Sequence, residues 1–76
     1  MNPANPVNPK KLLLSKWTAV QPVARQKHFL VAKVIEPAEV GGKVEWVEIE
    51  AVHSGLVRRI GWRELKDGAT WRQGWV

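Results

Sequence analysis

Apolar and polar residues alternate most regularly in the stretch VEWVEIEAVH, residues 44–53. A period of two is typical of a strand with one buried face. The stretch LVRRIGW follows Ser54-Gly55, and a two-residue turn at that dipeptide predicts a hairpin over residues 44–62. The expected cross-strand pairs are Val47–Trp62, Ile49–Ile60, Glu50–Arg59 and Val52–Val57.

The stretch KHFLVAKVIE, residues 27–36, is apolar at most positions and predicts a second strand. Its two faces carry, respectively, Phe29, Val31 and Ile35, and Leu30, Ala32 and Val34. Apolar side chains on both faces are typical of a strand with a neighbour on each side and partial cover above and below. Pro37 ends the strand, and PAEVGGK is expected to form a loop.

The first third of the chain gives a less regular pattern. Three Asn-Pro pairs in residues 1–9 predict a flexible arm, extended or disordered, because proline disfavours helix in the residue before it. Asn8 and Pro9 also suit the start of a helix, so NPKKLLLSK is compatible with one or two helical turns. Direct continuation into a strand at KWTAV is the alternative, and QPVARQ, residues 21–26, is expected to be a polar connection.

The chain closes on WRELKDGATWRQGWV, in which RELKDG predicts a single helical turn ending at Gly68. The remainder is expected to be a short final strand or an extended tail. These elements predict one small globular domain over residues 10–76, mainly β. The expected architecture is an antiparallel meander of three to five strands, in a curled sheet or partly open barrel with one or two short helical turns. The alternative is an α+β arrangement, with one helical segment packed on a flat sheet.

Composition changes this picture in one respect, because a chain of 76 residues with no cysteine has neither disulfides nor thiolate zinc sites to stabilise it. Five tryptophans are the substitute, each able to bury about 150–250 Å². Trp62 is expected in the core. Trp46 shares its face with Glu48 and Glu50, so its pattern favours neither burial nor exposure.

Charge is segregated along the chain. Residues 1–35 contain six basic residues and no acidic one, whereas residues 36–53 contain five glutamates and one lysine. Residues 54–76 contain five basic and two acidic residues, which gives a net charge of +5 overall. Basic segments interleaved with aromatic residues are typical of nucleic-acid binding. The other interpretation is that acidic and basic strands pair across the sheet and leave a mixed face.

The leading hypothesis is therefore a small, basic, non-enzymatic binding domain whose partner is single-stranded or structured RNA. Phosphates would be neutralised by Lys10, Lys11, Lys16, Arg58, Arg59 and Arg72. Bases would stack on Trp17, Trp46 and Trp71. One alternative is a protein–protein adaptor presenting an aromatic patch. Another is a purely structural domain with all its indoles buried, in which Trp71 and Trp75 clamp over an open sheet.

Catalytic and metal-binding patterns are missing from the sequence. It contains no phosphate loop, dinucleotide fingerprint or nucleophile elbow. His28 and His53 lack a partner at readable spacing, so we expect no enzyme, no metal and no cofactor. No apolar run reaches the roughly 20 residues of a membrane span, and the expected location is the cytoplasm.

Four stretches together carry a family resemblance: NPKKLLLSKWTAV, KHFLV, EIEAV and WRELKDGATWRQGW. In combination they resemble a group of small tryptophan-rich bacterial proteins of unknown function. The resemblance covers nearly everything after the first seven residues and implies a self-standing bacterial domain. It brings no activity, ligand or catalytic residue with it.

Overall fold

The computed structural model of the protein describes residues 4–76. Its five strands form one antiparallel sheet in the order β4-β3-β2-β1-β5. They are β1 (Lys16–Val23), β2 (Gln26–Val34), β3 (Trp46–Ala51), β4 (Val57–Gly61) and β5 (Trp71–Gln73). The helical elements of this part of the chain are two 3₁₀ turns, Pro9–Lys11 and Trp62–Lys66. The mainly-β prediction is confirmed, with β4 and β5 as the edges of an unclosed sheet.

Strand register separates the sheet into two faces. The core face carries the strand residues Trp17, Phe29, Val31, Val47, Ile49, Ile60 and Trp71, all of them buried. Leu12, Trp62 and Leu65 pack onto this face from outside the strands and are equally buried. The opposite side, here called the outer face, carries Lys16, Thr18, His28, Trp46, Glu48, Glu50, Arg59 and Arg72. The core therefore lies on one side of a single sheet.

The β3–β4 hairpin is confirmed, but its predicted register is wrong. The observed pairs are Val47–Ile60, Glu48–Arg59, Ile49–Arg58 and Glu50–Val57. The loop is four residues long rather than two, because Gly55 N–H donates to the carbonyl of Ala51 (2.7 Å) and so completes a helical turn. Gly55 has a φ of 75°, whereas Ser54 is not among the residues of positive φ. The two-residue turn that suits a hairpin best needs positive φ at both central positions, so it does not form here.

The β1–β2 connection is shorter than predicted. Residues 21–23 of QPVARQ belong to β1, and the turn consists of Ala24 and Arg25 alone. Both have left-handed backbone angles, with φ of 53° and 65°. Two consecutive positive φ values match the two-residue hairpin turn that follows the twist of the strands. The polar connection is thus a tight turn occupied by residues that disfavour its conformation.

Strand β2 is the centre of the sheet, with a neighbour on each side as predicted. An irregularity between Val31 and Lys33 breaks its alternation, because Val31 pairs with Ile49 whereas Lys33 pairs with Glu48. Val34 consequently returns to the core side and packs against the core cluster. The predicted assignment of β2 side chains to the two faces of the sheet is correct up to Val31. Beyond Val31 the two faces are exchanged.

The segment before β1 is joined to the domain. Asn8 accepts a hydrogen bond from Lys10 N–H and caps the first 3₁₀ turn, with Pro9 at its start, which confirms the predicted helical beginning. Upstream, the Asn5 side-chain amide donates to the carbonyls of Leu65 and Trp71, both at 2.8 Å. Within the predicted flexible arm, Ala4, Asn5 and Pro6 are therefore bound to the C-terminal part of the chain. Its first Asn-Pro pair lies outside the described residues.

Candidate nucleic-acid interface

The five tryptophans divide into a buried group and an exposed pair. Trp17, Trp62 and Trp71 are 2%, 6% and 1% exposed, whereas Trp46 and Trp75 are 48% and 42% exposed. Stacking on a base requires an open ring face. The stacking role predicted for Trp17 and Trp71 is therefore corrected, because the core covers both rings.

Charge is segregated in space as it is along the chain. Strands β2, β1 and β5 are adjacent and contain no acidic residue. Their outer face carries Lys16, Lys33 and Arg72 as well as His28. The glutamates of the sheet, Glu48 and Glu50, both lie on β3. Half of the outer face is thus basic, and we call the region formed by Lys16, His28, Arg72 and Trp75 the basic corner.

The C-terminal residues build the basic corner by folding back over the outer face. Thr18 Oγ1 donates to the carbonyl of Gly74 (2.6 Å) and accepts from Val76 N–H (3.1 Å). Trp75 Nε1 donates to the carbonyl of Phe29 at 3.0 Å, which fixes the indole above β2. Gly74 has a φ of 79° and allows the chain to turn from β5 onto this face.

Two side chains flank the Trp75 ring. The His28 ring stacks on it with centroids 5.9 Å apart and planes inclined by 30°. Lys16 Nζ lies 4.8 Å from the ring centroid, within cation–π range. Arg72 lies on the outer face of β5, where it pairs with Thr18 of β1. The Trp75 indole is 42% exposed beside Lys16, with Arg72 on the outer face of β5, so accessible aromatic surface and positive charge lie close together.

The remaining predicted site residues do not join this corner. Arg58 projects from the core face, since its strand partner Ile49 is buried there. Arg59 lies on the outer face beside Glu48, with Nη2 and Oε2 4.0 Å apart. This pair, together with the register neighbours Lys33 and Glu48, matches the mixed-face interpretation for the β3–β4 half of the sheet.

Lys10, Lys11 and Trp46 are likewise separate from the basic corner. The two lysines are exposed on the first 3₁₀ turn, outside the sheet. Trp46 begins β3, six residues from the row that contains His28 and Arg72, which is roughly 20 Å along the strand. The predicted set is thus divided between two faces and opposite ends of the sheet.

Two members of the basic corner, His28 and Trp75, were absent from the predicted interface. The sequence carried one indication of the latter, because Gly74 before Trp75 permits the turn that lifts the indole off the core face. His28 gave no such indication, since its role depends on a residue 47 positions later meeting it across the sheet.

Two further properties bear on chemistry. In the part of the chain that the structure describes, no three histidine, aspartate or glutamate side chains are close enough to hold a metal ion together. None of the helical turns within residues 4–76 has the length and apolar character needed to cross a membrane.

Comparison with known proteins gives one match. The family described as Tryptophan-rich protein (DUF2389) matches residues 15–76. The chain belongs to this family. Its function is unknown, and the matched range includes all five strands and all five tryptophans of this family member. Neither a curated protein nor a solved structure matches the chain.

Proposed function

We propose that this DUF2389 domain is a non-enzymatic binding domain that holds single-stranded RNA on its basic corner. The observation that carries the proposal is the exposed ring of Trp75, flanked by Lys16 and His28 on strands that contain no acid. Unpaired bases stack on such rings with little sequence preference, and nearby cations neutralise the phosphates. The ligand is single-stranded because a stacking platform needs an unpaired base.

The acid-free strands extend the positive surface beyond the corner. Arg25 lies at the β1–β2 turn, and the path from there to Arg72 crosses β1 without meeting a carboxylate on that strand. The interaction is therefore expected to be weak, sequence-tolerant and strongly dependent on salt.

The test is the binding of fluorescein-labelled ten-nucleotide oligonucleotides, oligo-U and a mixed sequence, followed by anisotropy at 50 and 200 mM salt. Replacing Lys16 and Arg72 by glutamine removes two phosphate contacts. Each contributes about 0.7 to the slope of log K against log[salt], so the slope falls by about 1.4 and affinity drops by up to about 60-fold at 50 mM. Trp75→Leu removes stacking on one base and weakens binding by roughly 5- to 100-fold.

The matched control is the double variant Lys10→Gln/Lys11→Gln, which removes the same total charge from an exposed 3₁₀ turn outside the sheet. We expect it to retain most of the affinity. An equal loss of affinity in the two double variants would mean that net charge alone determines binding, and it would overturn the proposed site. Absence of binding by the unsubstituted protein at 50 mM salt would overturn the proposed function.

A second candidate function, protein–protein adaptor, is favoured by the surroundings of Trp46. A shallow cavity of about 400 Å³ is lined by this half-exposed indole, by Ile35 and Pro37, and by the charged residues Glu36, Glu39, Lys43 and Glu45. An aromatic ring beside three glutamates and one lysine, a net negative lining, fits an arginine or lysine of a partner protein. Cross-linking of Trp46→Phe and Trp46→Ala variants in cell extract tests this. A partner held by phenylalanine and lost with alanine supports the adaptor role, whereas identical capture by both contradicts it.

A further inference from the structure

The core face is left uncovered at one end of the sheet. The segment before β1 and the Trp62–Lys66 turn cover the end that holds Leu12 and Leu65. At the other end lies a cavity of about 660 Å³, within the range of small-molecule sites. Its apolar lining comes from Ala19, Val23, Phe29, Leu56, Val57, Ala69 and Trp71, and its polar lining from Gln21, Gln26, Arg58 and Thr70.

Arg58 breaks the pattern of its strand at this cavity. It occupies a core-face position of β4 between Leu56 and Ile60, and its pair across the ladder is the fully buried Ile49. An apolar residue is the expected choice at that position. Its guanidinium carbon instead lies 6.0 Å from the centroid of the Phe29 ring, and it makes no ion pair within residues 4–76. Arg58 is exposed to solvent, so its unpaired positive charge lies at the open rim of the cavity, next to the apolar lining.

Trp71 breaks a second rule on the same cavity wall. Its ring packs edge-on against Phe29, with centroids 5.1 Å apart and planes at 89°. Its Nε1–H is buried and has no hydrogen-bond partner among the described residues. By contrast, Trp17 Nε1 donates to Ser15 Oγ and Trp62 Nε1 donates to the carbonyl of Val44. Buried polar groups are almost always paired, so this N–H is an exception in the cavity wall, although the nitrogen itself is closed off from the cavity.

We infer that this cavity is a binding site for a small monocarboxylic acid with an apolar chain or ring. The apolar body lies against Phe29, Val23 and Leu56, and the carboxylate meets the Arg58 guanidinium, whose fork geometry matches two carboxylate oxygens. A monoanion balances the single positive charge of the lining, whereas a phosphate monoester leaves an excess negative charge. The site opens on the core face, so it is independent of the RNA site on the outer face.

The test uses decanoate below its micelle concentration, with 1-decanol and decyl phosphate as comparisons, and follows the five indole N–H signals in ¹H–¹⁵N NMR spectra. We expect the Trp71 signal to shift saturably with decanoate. The signals of Trp17 and Trp62, whose N–H groups are already hydrogen-bonded, move little. Decanol and decyl phosphate bind more weakly, because neither places a single negative charge on Arg58.

Arg58→Gln and Arg59→Gln form a matched pair, since the two arginines are adjacent and project from opposite faces. Loss of a charge-assisted hydrogen bond weakens decanoate binding by about ten- to a hundredfold in Arg58→Gln, while Arg59→Gln leaves it unchanged. Ala69→Phe fills the cavity from an exposed position and abolishes binding. Equal effects in both arginine variants, equal binding of decanol, or no saturable shift of the Trp71 signal would each overturn the inference. Circular-dichroism melting of each variant confirms that the fold is retained.

Discussion

Replacing Trp71 with phenylalanine removes a buried indole N–H while keeping an aromatic ring in the core. In the structure this N–H has no partner within the described residues, although the residue is only 1% exposed. The same substitution at Trp62 removes an N–H that donates to the carbonyl of Val44 at 2.8 Å. Both changes delete the same atoms from similarly buried sites, so comparing the two variants isolates the hydrogen bond.

The magnitude follows from the two environments. An unpaired buried donor costs about 1–3 kcal/mol in the folded state, and Trp71→Phe removes that cost. Trp62→Phe instead loses a hydrogen bond with a net value of about 1 kcal/mol. The loss of apolar contact is common to both variants and largely cancels. Trp71→Phe should therefore be more stable than Trp62→Phe by about 2–4 kcal/mol, a difference in Tm of roughly 10–30 °C for a domain of this size.

Urea unfolding followed by far-UV circular dichroism measures this difference without depending on tryptophan emission. Similar m values are required, so that the comparison reports stability rather than a change in the unfolded state. Trp17→Phe, whose indole donates to Ser15 Oγ at 2.9 Å, provides a second reference. Equal destabilisation of all three variants would refute the reasoning. It would mean that the Trp71 N–H is paired in solution, for example with a buried water.

Two further predictions concern the turn and the N-terminal segment. Ala24→Asn/Arg25→Gly places the residues best suited to two left-handed positions in the β1–β2 turn, so we expect a gain of about 1–2 kcal/mol in urea unfolding. A loss of stability would show that the turn adopts another conformation. Asn5→Ala deletes the 2.8 Å hydrogen bonds to the carbonyls of Leu65 and Trp71, at a cost of about 1–3 kcal/mol in thermal unfolding. An unchanged Tm would show that this segment contributes nothing to stability.

In the β3–β4 hairpin, the alternation of apolar and polar residues determines which side chains are buried but not which residues pair across the strands. The predicted register is two residues away from the observed one, yet both place Val47, Ile49 and Ile60 on the buried face. A shift of two preserves the face of every residue because side chains repeat with a period of two. The sequence thus predicted burial correctly and pairing incorrectly. The missing information is the backbone conformation of the loop, since a glycine after serine suits either a two-residue or a four-residue turn.

The candidate site was harder to predict because it depends on contacts between distant segments. Charge segregation was visible in the sequence, and the strand order turned it into three adjacent acid-free strands. The sequence did not show which tryptophans are buried and which are exposed, since Trp71 and Trp75 lie in one short basic segment. Their burial differs because Trp71 is within β5 on the core face, whereas Gly74 turns Trp75 onto the outer face.

Departures from the core pattern argue against a purely structural role for the domain. Elsewhere in the core, the N–H groups of Trp17 and Trp62 are paired and the buried residues of the core cluster are apolar. Trp71, whose buried N–H is unpaired, and Arg58, which is exposed on the core face, both line one cavity. A fold selected only for stability would gain from an apolar residue at position 58, since local rules are usually broken where function requires it. If Arg58→Leu raises the Tm and also removes decanoate binding, stability at this end of the sheet has been exchanged for a binding site.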